Sequence, residues 1–295
     1  MRLVVVGAGG VGGYFGARLA AAGHDVTFVA RGRHLAAIRE QGLRVRSPLG
    51  DVTVTAPAVA TIAEAGDADL VLVAVKLWDT DGIAAQLPAG ARVLTLQNGV
   101  RGALRERPGA LGGICYISAV IDEPGVIAHR NAMQRIVFGE FDGRPSPLTA
   151  AFLAACGDAG IDAEVSTDIA RVIWEKFVFL VGMSATTTAV RAPIGVVREH
   201  PRSRALLHDV FAEVVAVGRA AGIDLAEDFA DDRLAFCDSL PADMTASMYH
   251  DLTQGNRLEL AWLSGAVAAL GAELGVPTPR NRTVTDILSP FEMGK

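Results

Sequence analysis

Leu3-Val4-Val5-Val6-Gly7-Ala8-Gly9-Gly10-Val11-Gly12 stands almost at the start of the chain and runs straight into a helical pattern that continues to Ala22. Leu3 to Val6 is a short continuous apolar stretch, the signature of a parallel strand buried on both faces. Gly7, Gly9 and Gly12 then form G-x-G-x-x-G between that strand and the helix. The first glycine permits the tight turn, the second lets backbone approach a pyrophosphate, and the third lets helix pack close to strand. The N–H groups at the helix start and the helix dipole favour phosphate there. On its own the motif is weak. Here strand and helix flank it on the correct sides, and a second strand over 26–30 follows Gly23-His24, which is the context the motif requires. The stretch predicts a dinucleotide site, with Gly7, Ala8, Gly9, Gly10, Val11 and Gly12 as cofactor contacts.

The end of the second strand indicates which dinucleotide. An NAD-binding unit of this kind carries Asp or Glu about 20 residues past the glycines to accept from the ribose 2′-OH. Here the strand ends Phe28-Val29-Ala30-Arg31-Gly32-Arg33, and Asp25 precedes it. Arg31, backed by Arg33, can instead make charge-assisted bonds to a 2′-phosphate. The alternative is that two arginines only solvate a helix start, where the dipole disfavours them. The expectation is NADP.

A chain of 295 residues exceeds the usual size of one hydrophobic core, so two domains are expected. A hydrophobic content of 51% with 20% charged residues indicates a packed globular protein. A net charge of -6 without a Lys/Arg run argues against nucleic acid as a partner. Three distant cysteines, Cys115, Cys156 and Cys237, form no C-x-x-C pair and suit a reducing, cytoplasmic setting. The apolar stretches 70–75 and 177–183 fall far short of the ~18 residues a membrane span needs, so no membrane partner is expected. The six histidines show no metal-ligand spacing, and no G-x-S-x-G elbow points to a hydrolase.

Along the chain, 34–41 reads as a helix and 43–55 as a hairpin around Ser47-Pro-Leu-Gly50. Buried strands at 69–75 and 91–96 deliver Lys76 and Gln97-Asn98-Gly99 to their carboxyl ends, where ligands bind in a doubly wound sheet. Further strands at 114–120, 126–129 and 135–138 extend the sheet in antiparallel fashion around Asp122-Glu-Pro-Gly125. A helix over 146–159 and a strand over 163–165 close the unit. From Asp168 the patterns are helical: 168–188, 202–221, 228–237, 245–253 and 258–274. Asp168 suits a helix N-cap, and Gly222 and Gly275 suit helix ends. The expected fold is α/β, a Rossmann-type doubly wound sheet over 1–166 followed by an all-helical domain over 167–295. The apolar segment 258–274 suits either packing inside its domain or a homodimer face.

Two stretches of the helical part carry chemistry. In Trp174-Glu-Lys176-Phe-Val-Phe-Leu180, Lys176 interrupts a nearly apolar run. Such a lysine either snorkels along its stem to water or is functional. In Ser247-Met-Tyr-His-Asp-Leu-Thr-Gln-Gly-Asn-Arg-Leu-Glu259, the acid lies between Leu258 and Leu260 on the expected helix. Taken alone, Glu259 is most often a solvated helix glutamate and Ser247 a hydroxyl near a cap.

The motifs G-A-G-G-V-G-G-Y-F-G, V-K after the buried strand, L-Q-N-G-V, W-E-K, S-M-x-x-D-L and P-T-P occur in order over nearly the whole chain. In this the chain resembles the ketopantoate reductases (2-dehydropantoate 2-reductases). The resemblance implies a Rossmann domain followed by a helical domain of the 6-phosphogluconate-dehydrogenase C-terminal type. It implies NADPH-dependent reduction of a small 2-oxo acid, ketopantoate, to pantoate in pantothenate biosynthesis. It also implies Lys176 as the catalytic lysine and Glu259 as the acid near the reacting centre. Asn98, Ser184 and Ser247 fall at or beside substrate-binding positions, and Arg31 and Lys76 at 2′-phosphate contacts. Asn98 and Ala119 fall near the cofactor. One departure matters. Where the family's commonest pattern has asparagines, this chain has Leu180, Ser184 and Ile194. Thr187 or Arg191 can supply a replacement polar group, while Arg191 equally suits a surface position near Pro193. The sequence thus leaves open a sister reductase of another 2-oxo acid or imine, and a non-catalytic NADP-binding protein.

Overall fold

The computed structural model describes residues 1–295. The first strand, β1 (Arg2–Val6), shows why its run is apolar throughout. Leu3 and Val5 pack on one face with Phe15, Leu19 and Phe28, while Val4 and Val6 pack on the other with Ile62, Val71, Val73 and Val93. A strand covered on both sides has no face for polar side chains. Then follow α1 (Gly10–Ala21), β2 (Asp25–Val29), α2 (Gly32–Gln41), β3 (Leu43–Arg46), β4 (Val52–Val54), β5 (Ala58–Val59), α3 (Ile62–Ala65) and β6 (Leu70–Val73). A 3-10 turn (Leu77–Asp79) leads into α4 (Thr80–Gln86), then β7 (Val93–Thr95), β8 (Leu111–Glu123), β9 (Val126–Glu140), α5 (Pro147–Asp158) and β10 (Asp162–Val165).

These strands form one sheet in the order β4-β3-β9-β8-β7-β6-β1-β2-β5, with β10 beside β9. From β5 through β2, β1, β6 and β7 to β8 every pairing is parallel. The β8–β9 pair is antiparallel and shifts register between Ile117 and Ala119 and again between Ile121 and Glu123. The two strands expected at 126–129 and 135–138 are one continuous strand, β9, because the bent partner β8 pairs with it on both sides of the irregularity. The hairpin of β3 and β4 forms as expected. The short elements β5, α3 and α4 do not stand out in the sequence. Their Ala- and Gly-rich segments carry too few apolar positions to set a period.

The chain divides into two compact units, Met1–Val172 and Ile173–Lys295. The division falls inside α6 (Ile169–Val190) rather than at Ser166. The first turn of α6 belongs to the sheet, since Ile169 is buried against Gly112 and Gly139. Asp168 caps that turn, accepting from the N–H of Arg171 at 3.1 Å.

The second unit is helical: the rest of α6, then α7 (Ile194–Glu199), α8 (Pro201–Ala220), α9 (Phe229–Ser239), α10 (Ser247–Gln254), α11 (Ser264–Leu274) and α12 (Pro279–Leu288). Gly182 of α6 lies against the ring of Phe211 from α8, and Gly218 of α8 against Trp174 of α6. The small residues let the two helices approach closely.

The single helix expected over 258–274 is not formed. Gly255 ends α10 in the left-handed region, a 3-10 turn covers Leu260–Trp262, and Leu263 at φ -106, ψ -105 breaks the run before α11. The C-terminal residues hold this bend: Leu258 N–H donates to Glu292 C=O at 2.9 Å and Lys295 N–H to Gly255 C=O at 2.9 Å. An apolar run alone does not distinguish one helix from a turn and a helix. Val267, Leu270 and Gly271 of α11 are buried within the chain. No helix is long and apolar enough to cross a membrane.

Candidate active site

The Gly-rich turn is shaped by what each glycine faces. Gly7 adopts φ +95 and donates to Val29 C=O at 3.0 Å, which turns the chain out of β1. A methyl at Gly12 would collide with the carbonyl of Gly7, and one at Gly10 with the carbonyl of Ala119. At Gly9 a methyl would meet nothing within 4 Å. Gly7, Gly10 and Gly12 are therefore required by the protein's own backbone and packing, and Gly9 faces open space. Gly9 is also the N-cap of α1, with no side-chain cap and no acid in the first turn. The first N–H groups of a helix need outside acceptors, and the N-cap residue Gly9 lines a groove of about 290 Å³. Gly7, Ala8 and Gly9, then Val29, Ala30, Arg31 and His34, line it, with Ile62, Val75, Ile83 and Ile121 opposite. Open space beside Gly9 at an uncapped helix start, between apolar walls, fits a dinucleotide.

His34 braces this turn in a way the sequence does not announce. Gly125 N–H donates to its Nδ1 at 3.0 Å. Because Nδ1 accepts, the ring proton lies on Nε2, which donates to Ala8 C=O at 2.7 Å. One imidazole thus joins the glycine turn to the β8–β9 hairpin. On the same hairpin, beside its irregular register, the carbonyl of Ala119 lies against Gly10 of α1.

Lys76 and Asn98 stand at neighbouring strand ends, Lys76 exposed beyond β6 and Asn98 partly buried beyond β7. Lys76 Nζ lies 5.6 Å from the Trp78 ring centroid. The loop carrying Asn98 is anchored by its neighbour. Gln97 donates to Val75 C=O at 3.0 Å and to Thr80 Oγ1 at 2.9 Å, and accepts from Thr95 Oγ1 at 3.0 Å. Arg105 donates to Gln97 C=O at 2.9 Å, and burial pushes its guanidinium down to about 10. Neither Gln97 nor Arg105 stands in a local sequence pattern that marks this bracing role. Arg31, at the end of β2, meets Asp79.

In the helical unit, Lys176 is partly buried on α6. One and two turns on, Leu180 is partly buried and Ser184 fully buried, and these positions share a side of the helix. Ser184 Oγ and, a further turn on, Thr188 Oγ1 are buried without a hydrogen-bond partner, a cost of about 1–3 kcal/mol each. Thr187, offered above as a replacement polar group, is occupied, its hydroxyl donating to Met183 C=O at 2.6 Å. Arg191 is exposed at φ +57, its guanidinium 5.2 Å from the Phe291 ring. Ile194 is fully buried at the start of α7, a packing residue. Ser247 is the exposed first residue of α10 and makes no cap, since Ala246 takes the N-cap position. Glu259 lies in the turn before the 3-10 segment, not on a helix, and is only 7% exposed. It is therefore not the solvated glutamate that its sequence context allows.

Comparison with known proteins bears on both units. The ketopantoate reductase family model (PanE/ApbA) matches residues 3–143, and its C-terminal counterpart matches residues 168–292. The 2-dehydropantoate 2-reductase of Halobacterium salinarum is 35% identical over 298 residues, covering 98% of each chain. The crystal structure of a PanE/ApbA family ketopantoate reductase from Ralstonia eutropha superposes with a TM-score of 0.90 at 31% identity, over 99% of this chain and 98% of that one. The fold is shared with D-mandelate dehydrogenase in complex with NADH and anilino(oxo)acetate, at a TM-score of 0.87 and 21% identity over 99% and 98% of the two chains. Motifs, architecture and whole-length likeness agree, and the chain is an oxidoreductase belonging to the ketopantoate reductase family.

Proposed function

We propose that the chain reduces ketopantoate to pantoate with NADPH. The observation that carries the cofactor half is the open space over Gly9, bounded by an uncapped helix start and by Arg31 at the groove's far end. Gly7 to Gly12 hold the pyrophosphate, Arg31 and Lys76 meet the 2′-phosphate, and Asn98 and the Ala119 backbone lie along the nicotinamide side. When bound, the reduced nicotinamide supplies hydride to the keto carbon. The carbonyl oxygen gains negative charge as this happens. Lys176, as an ammonium, stabilises that charge and gives the oxygen its proton. Glu259 orients the lysine or the substrate hydroxyl. Asn98 and Ser247 fix the carbon skeleton, and Ser184 backs the lysine's side of α6.

In this reading the first unit holds the cofactor and the second carries the catalytic side chains. A second reading, reduction of a different 2-oxo acid, is favoured by Leu180, Ser184 and Ile194 standing where the family's asparagines occur. Initial rates of NADPH oxidation with ketopantoate and with a panel of 2-oxo acids separate the two. The highest kcat/KM on ketopantoate supports the first reading, and a higher value on another acid replaces it with the second. Tight NADPH binding without turnover on any of them leaves a binding protein and removes both.

A further inference from the structure

The edge of the guanidinium that would meet a 2′-phosphate already has an anionic partner. Arg31 Nη2 lies 2.8 Å from Asp79 Oδ2 and Nη1 lies 3.4 Å from Oδ1, a two-point pair. Arg31 follows β2 and Asp79 closes the 3-10 turn that follows β6, and β2 and β6 lie on either side of β1. They differ in exposure. The Arg31 side chain is 75% exposed and Asp79 24%, and the Asp79 backbone is fixed in its 3-10 turn by a bond from its N–H to Lys76 C=O at 3.0 Å. The carboxylate is the more buried partner, and its pair with Arg31 stands where Arg31 lines the groove.

We propose that Asp79 sets the nicotinamide preference of this chain by competing with the adenosine 2′-phosphate for Arg31. The inference rests on the dinucleotide reading above. A 2′-phosphate must either break the Arg31–Asp79 pair or share the guanidinium with a carboxylate a few ångströms away. Both act against NADPH, through lost charge-assisted bonds in the first case and like-charge repulsion in the second. A 2′-hydroxyl meets neither difficulty, since it is uncharged and can donate to a carboxylate. Asp79 therefore narrows the gap between the two cofactors that Arg31 and Lys76 would otherwise open.

The test is direct titration of the full-length protein with NADPH and with NADH, followed by nucleotide fluorescence or calorimetry rather than turnover. Asp79→Asn keeps shape and removes charge. It should tighten NADPH by about three- to tenfold and move NADH by less than about twofold. In 0.5 M salt the gain should shrink, because exposed charges are screened. In an Arg31→Ala background, which itself weakens NADPH, the same substitution should give no gain, since the coupled partner is gone. NADPH affinity unchanged or weakened in Asp79→Asn overturns the proposal while leaving the cofactor reading intact. Failure of the unaltered protein to bind either nucleotide removes that reading and this inference with it.

Discussion

The phosphate turn and the lysine-bearing side of α6 are both short stretches interrupting apolar sequence, yet they are built on opposite principles. In the proposed reading the working groups at Gly7 to Gly12 are backbone N–H groups, and the side chains matter by being absent. Gly10 and Gly12 have neighbours that leave no room for a methyl, whereas Gly9 faces open space. In the proposed reading the working group at Lys176 is a side-chain ammonium, and the same side of α6 carries Ser184 and Thr188, whose hydroxyls are buried without a partner. One stretch contains its own geometry; the other receives it from the fold. A site made of backbone is therefore legible locally, and a site made of side chains is not.

The largest effect that tests this contrast is on Lys176. Lys176→Ala should lower turnover by about 10²–10⁴-fold while leaving dinucleotide affinity alone. Unchanged kcat in a folded variant would take the lysine out of the chemistry. Next come the paired glycines. Gly9→Ala should weaken both dinucleotides by about 10–100-fold through lost pyrophosphate contacts, with stability moved by less than about 0.5 kcal/mol. Gly10→Ala should instead lower stability by about 1–3 kcal/mol, because its methyl meets the Ala119 backbone. Denaturation midpoints and nucleotide titrations on the two variants should therefore give opposite patterns, and matching patterns would refute the assignment of open space to the ligand.

Smaller still is His34→Ala, which orphans the Ala8 carbonyl and the Gly125 N–H. Dinucleotide affinity should fall about three- to tenfold for NADPH and NADH alike. A loss confined to one of them would show that the imidazole does not act through the turn.

The smallest effect belongs to Cys156 and appears only in alkali. Burial pushes its thiol from 9.0 up to about 12. Below pH 9 the thiol is neutral folded and unfolded, so its contribution to stability is complete there. As pH rises from 9 toward 12 the unfolded chain releases the proton first, and that contribution is progressively lost. Arg105, lowered to about 10, acts in the opposite sense above that pH, so pH 8–10 is the informative window. Thermal midpoints across it should fall less steeply in Cys156→Ala than in the unaltered chain. Parallel curves would remove the thiol as the cause.

Much of the first unit could be read directly from the sequence. The apolar runs of β1, β6 and β7 place Lys76 and Asn98 at the carboxyl edge because a parallel strand buried on both faces leaves few alternatives. The braces of that edge could not be read. Gln97, Arg105, His34 and Asp79 act on residues distant in the chain, and no period or spacing marks them. In the second unit the helices of Lys176 and Ser247 were legible, but the surroundings of their side chains were not. Thr187 proved to be spoken for by Met183, and Glu259 left the expected helix for a buried turn.

The order of strand, glycine turn and helix, the arginine after the second strand and the change from α/β to helical patterns were determined by sequence alone. Each depends on neighbours along the chain and on backbone sterics. Tertiary structure alone decided that Asp79 reaches Arg31, that one imidazole joins Ala8 to Gly125, and that Ser184 is buried with no partner. Those facts depend on which distant side chains share a few ångströms, and local propensity carries no record of such distances.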